Sequence, residues 1–76
     1  MTLGQALCVA VMRHLDIPDD KGANGAIAKA CGVSYNAVYK WQTGISSPPL
    51  NRLSRMCDQL GISLGFVLGV AAGGAS

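Results

Sequence analysis

The chain has 76 residues, half of them apolar, 13% charged and 5% aromatic, enough for one small core and too few for two domains. A fold of this size buries roughly 60% of the surface its unfolded form exposes, which leaves no deep cleft between lobes, so an enzyme is not expected. The formal charge is only +2, yet residues 21–57 carry Lys21, Lys29, Lys40, Arg52 and Arg55 without one carboxylate. That bias favours a polyanion, although dispersed charges more commonly mark a solvated face.

In chain order, Leu3, Leu7, Val11 and Leu15 step by four and predict a helix from about Thr2, a plausible N-cap, to Leu15. Cys8, Val9 and Met12 widen its apolar stripe, so this helix should meet neighbours on more than one side. Pro18 and the cluster Asp16, Asp19 and Asp20 predict a loop. A short helix follows over 24–30, with Ile27, Ala28 and Cys31 inward. Gly32 suits a left-handed cap and Ser34 a new N-cap, which predicts two helices joined by the turn Cys31-Gly32-Val33. The second of these runs over 35–43 and ends at Gly44. Ile45 to Pro49 reads as extended loop. Leu50, Leu53, Met56, Cys57 and Leu60 predict a fourth helix stopped by Gly61, and Ser63 caps a fifth with Leu64, Val67 and Leu68 inward. The expectation is all-α: five helices in a single domain over 1–70, with a disordered tail over 71–76.

Several chemistries are disfavoured. Cys8, Cys31 and Cys57 are odd in number and far apart, unlike the paired framework of a small secreted domain. With His14 they lack the short spacing that pre-positions a metal, so no metal site and no cofactor are expected. No catalytic residue is identified, because a Cys and His14 have neither a third orienting group nor a pocket. The apolar stretch Leu60 to Ala72 is shorter than the roughly 20 residues needed to cross a bilayer. The start of the chain lacks a signal peptide's basic residues. A cytoplasmic, nucleoid-associated protein without membrane contact is expected.

The third helix carries the functional signal. At about 100° per residue, Ala37, Val38 and Trp41 point one way and Asn36, Tyr39, Lys40 and Thr43 the other, with Tyr35 on the N-terminal flank. Amide and ammonium groups bond base edges, phenol rings contact thymine methyls or phosphates, and a helix of this width enters a major groove.

The segment from Ile27 to Gly44, continuing through Pro48, Leu53 and Leu60-Gly61-Ile62-Ser63-Leu64, resembles the lambda-repressor-like, Cro-type (Xre) helix-turn-helix DNA-binding domains. In that resemblance Ala28 lets the helices cross closely, Gly32 makes the turn, and Val38 and Trp41 lock the second helix on the first. It implies base contacts from Tyr35, Asn36, Tyr39 and Lys40. It implies phosphate contacts from Asn24 near a helix's positive end and from Thr43, Ser46 and Ser47, for which plain loop solvation is the alternative. The loop after Gly44 lacks the family's usual Lys or Arg, which shifts the phosphate burden to Lys29, Arg52 and Arg55. The link before the second helix is also longer than usual and acidic.

One such domain reads few base pairs, so a homodimer on a palindromic operator is expected, through apolar surface such as Val9, Met12, Phe66 and Val70. The implied function is a Cro-like phage or prophage repressor that binds double-stranded DNA, with no small-molecule effector. The alternative is an antitoxin or adaptor that uses the same fold mainly to hold a protein partner.

Overall fold

The computed structural model describes residues 1–73, and its elements are α1 (Leu3–Leu15), α2 (Ala23–Cys31), α3 (Tyr35–Gln42), α4 (Leu50–Leu60) and α5 (Leu64–Ala71). The fold is all-helical among the described residues. Thr2 starts α1 through a capping box: its hydroxyl accepts from the Gln5 N–H at 3.1 Å, and its own N–H donates to Gln5 Oε1 at 3.0 Å. Two of the four orphan donors of the helix start are thereby satisfied. Asp16 ends α1 in the left-handed region at φ 57, a conformation that Asp tolerates better than most residues.

The element boundaries differ from expectation by single residues, each for a local reason. Helix α2 begins at Ala23, because Asp20 Oδ1 accepts from the Gly22 N–H at 2.8 Å and turns the chain one residue earlier. It runs through Cys31, since the left-handed residue is Gly32 at φ 69. The turn is therefore Gly32-Val33-Ser34, closed by Val33 N–H donating to the Ala28 carbonyl at 3.1 Å. Ser34 Oγ then accepts from the Ala37 N–H and starts α3. Helix α3 stops at Gln42, with Thr43 as its cap. Helix α5 includes Ala71, one residue beyond the expected boundary at 70 and packed against the core. Of the expected tail, residues 74–76 lie outside the described residues.

The core gathers Leu7, Ala10 and Val11 of α1, Ile27 and Ala28 of α2, Val38 and Trp41 of α3, Leu53 and Cys57 of α4, and Val67 of α5. Helix α1 is central: it packs against α2, α3 and α5, which explains its apolar surface on more than one side. Leu68, read as inward, is not, and Leu15 and Leu50, read as positions of an apolar stripe, are exposed too, Leu15 at 42%. Leu50 is 57% exposed and Leu68 41% exposed. Leu50 is the first residue of α4, out at the rim beside the loop. Leu68 lies one 100° step round from Val67, the sole fully buried residue of α5.

Candidate nucleic-acid interface

Helix α3 has two unlike sides. Val38 and Trp41 are buried against the core and Ala37 is half-buried, whereas Tyr35, Asn36, Tyr39, Lys40 and Thr43 are exposed. Tyr35 is 56% and Tyr39 48% exposed. On the wheel, Asn36, Tyr39 and Thr43 form the centre of the outer side and Lys40 its edge toward α4.

The seat of α3 is made by α1. Gly4 lies so close to α3 that a Cβ there would stand 2.9 Å from Trp41 Cβ and 3.1 Å from the Ser46 carbonyl oxygen. Its N–H, an orphan donor of the first turn, donates to Ser47 Oγ at 2.9 Å. Gln5 Nε2 donates to the Gln42 carbonyl at the end of α3, at 3.2 Å. These contacts fix both the helix and the loop that leaves it, and sequence reasoning missed them. Only the Thr-x-x-Gln spacing of Thr2 and Gln5 was a readable sign, and it points to a cap rather than to α3.

The remaining residues surround this helix. Lys29 is exposed on α2, Ser46 and Ser47 are exposed in the α3–α4 loop, and Arg52 and Arg55 are exposed on α4. Arg52 shares a cleft of about 370 Å³ with Ser34, Ala37, Trp41 and Ser47, at the edge of α3. Arg55 lines a smaller one of about 160 Å³ with Arg52, Cys31 and Gly32, beside the turn. Two of the hydroxyls are already engaged. Thr43 Oγ1 donates to the Tyr39 carbonyl at 2.9 Å, so its proton is directed into the helix, and Ser47 Oγ holds α1. Asn24, in the first turn of α2, accepts at Oδ1 from Gln42 Nε2 at 3.1 Å.

The cysteines are free, and none of them belongs to this surface chemistry: Cys8 and Cys57 are buried and Cys31 half-buried. Burial, with Cys31 nearby, pushes the Cys8 thiol up to about 12, and burial also raises Cys31 and Cys57, so all three are held as neutral thiols near pH 7. Among the described residues no three His, Cys, Asp or Glu side chains are placed to hold a metal, and no helix is long and apolar enough to cross a membrane.

A helix that follows a glycine turn, is anchored by an apolar back and is polar in front is the reading element of one fold family, and residues 25–67 match the family described as Helix-turn-helix. The chain belongs to the helix-turn-helix family. The match runs from within α2 into the first half of α5, and the type is that of the Cro/C1 DNA-binding transcription regulators. No curated protein and no solved structure matches the chain. In this family's terms α2 and α3 are the helix-turn-helix pair.

Proposed function

We propose that this helix-turn-helix domain is a Cro-like repressor, of phage or prophage type, that binds a palindromic operator as a dimer in the cytoplasm and silences a promoter by occluding it. The observation that carries this reading is the exposure of Tyr35, Asn36, Tyr39 and Lys40 together on a recognition helix whose back is buried. Asn36 and Lys40 bond base edges, and the two phenols contact thymine methyls or phosphates. Lys29, Arg52, Arg55, Asn24 and the 43–47 loop fix the register on the backbone, with Thr43 contributing shape rather than its engaged proton.

The dimer reading is supported by α5, whose outer side presents Gly65, Phe66 and Leu68 to solvent and bears no charge. The helix itself brings no charge to a second copy; Arg13 is the cation in the groove beside Phe66. An eight-residue helix about 12 Å long and about 10 Å wide offers a face on the order of 100 Å², short of the roughly 800 Å² per partner of a stable interface. The pair therefore assembles on DNA rather than ahead of it. The same surface is what favours the adaptor reading, in which a different protein covers α5.

Selecting bound duplexes from a random pool and titrating one by fluorescence anisotropy over a salt series tests the proposal. A palindromic consensus is expected. So is a log–log salt slope of roughly −5 to −7, for six to eight phosphate contacts. No enrichment, or binding indifferent to salt, would overturn it, and capture of a heterologous protein at α5 without DNA binding would establish the adaptor instead.

A further inference from the structure

Two side-chain hydrogen bonds meet at Gln42, one on its backbone carbonyl and one from its amide. Gln5 Oε1 accepts from the Thr2 N–H at 3.0 Å, so its Nε2 faces the other way and donates to the Gln42 carbonyl at 3.2 Å. That carbonyl is one of the orphan acceptors at the end of α3. The Gln42 side chain in turn donates from Nε2 to Asn24 Oδ1 at 3.1 Å. An amide has one accepting end and one donating end, so committing the oxygen of Asn24 decides where its two N–H groups lie. No buried side-chain nitrogen or oxygen among the described residues lacks a partner, and Asn24 Nδ2 has none from the protein, so that nitrogen faces solvent at the start of α2.

We propose that Gln42 is the positioning residue of the DNA face: it turns the amide of Asn24 so that donors, not an acceptor, meet the phosphate, while Gln5 holds the backbone at the end of α3 through the Gln42 carbonyl. This rests on the DNA reading above and adds a residue that touches no DNA itself. A phosphate accepts hydrogen bonds and gives none, so the opposite rotamer would set the Asn24 oxygen against an anion. The bond from Gln42 to Asn24 ties the start of α2 to the end of α3, so the phosphate contact and the recognition helix move together.

A double-mutant cycle separates this role from simple support. In Gln42→Glu the carboxylate only accepts, so Asn24 rotates to donate to it and its oxygen turns outward. The contact between the helices survives, and the thermal midpoint should change little. Affinity for a duplex selected by the wild-type protein should fall about ten-fold. In an Asn24→Ala background the same substitution should cost about two-fold or less, because no amide is left to turn. An equal loss in both backgrounds would mean that the new charge acts directly on DNA, and the proposal would fall. If Gln42→Glu does not fold, Gln42→Met completes the cycle, with a loss of about three-fold expected only where Asn24 is present. Wild-type protein that binds no duplex sinks the DNA reading and this proposal with it. Wild-type binding without coupling sinks this proposal alone.

Discussion

Helices α3 and α5 have the same length, and each leaves large rings or branched chains in water, yet the two surfaces differ in kind. Tyr35 and Tyr39 on α3 end in hydroxyls and stand beside an amide and an ammonium. Phe66 and Leu68 on α5, 38% and 41% exposed, have no polar atom and no charged residue on their own helix. Exposure alone therefore identifies neither partner. Donors next to rings suit a surface of phosphates and base edges, whereas rings without donors gain only by being covered with apolar groups. The two faces should respond to mutation independently, one in affinity for DNA and the other in cooperativity.

The largest effect is expected at Lys40. Lys40→Glu replaces a donor at a groove edge by an anion, and duplex affinity should drop about a hundred-fold, or ~3 kcal/mol, by anisotropy. The Hill slope on a duplex with two half-sites should not change. A comparable loss of cooperativity would mean that α3 takes part in the dimer and that the two faces are not separate.

The converse substitution comes next. Phe66→Glu puts a charge on the outer side of α5, where a second copy would have to bury it. On a duplex with two half-sites, apparent affinity should fall about thirty-fold, the equivalent of ~2 kcal/mol of lost coupling. The Hill slope should drop toward one. On a single half-site the variant should match the wild type, and cooperativity that survives the change would move the dimer away from α5.

How much of this was legible depends on how local each cause is. Helix ends are set by single residues that act on their neighbours, such as Ser34, Ser63, Gly32 and Gly61, and these gave five helices whose limits the structure moves by a residue. The two sides of α3 followed from its period alone. Periodicity gives direction but not the extent of what lies there, which is why Leu68 was read as inward, and Leu15 and Leu50 as stripe positions, and all three are exposed. The contacts that seat α3 were not legible at all: Gly4 meets Ser47 across 43 positions, Gln5 meets Gln42 across 37 and Asn24 meets Gln42 across 18. No local rule relates residues so far apart.

Gly4 offers a third test, because it supports α3 and the loop that leaves it. Ala is ordinarily the better residue inside a helix, but here its methyl would press on the Trp41 Cβ and the Ser46 carbonyl, neither of which is the free end of a flexible chain. Gly4→Ala should destabilise the fold by about 1–2 kcal/mol, read as a lower thermal midpoint. The protein that remains folded should bind DNA more weakly as α3 is pushed outward, with the Hill slope unchanged. A midpoint that rises would show that helix propensity outweighs the contact.

The smallest effect asks how far the DNA-facing side extends around the molecule. Arg55 on α4 lies beside the helix-turn-helix turn, with Cys31 and Gly32, while Arg13 on α1 shares a groove with Phe66 and Ile62 on the α5 side. Each of Arg55→Ala and Arg13→Ala removes one positive charge, so any effect of net charge alone is the same for both. A cation at a phosphate releases a counterion on binding, so Arg55→Ala, which removes one such contact from each copy of the dimer, should make the salt slope shallower by about two and weaken all duplex sequences alike. Arg13→Ala should leave the slope unchanged, because Arg13 lines grooves with residues of α1 and the α5 side and none of α3 or the turn. Equal slopes for the two variants would show that charge is felt over the whole surface, and the division between an α3 side that meets DNA and an α5 side that does not would no longer hold.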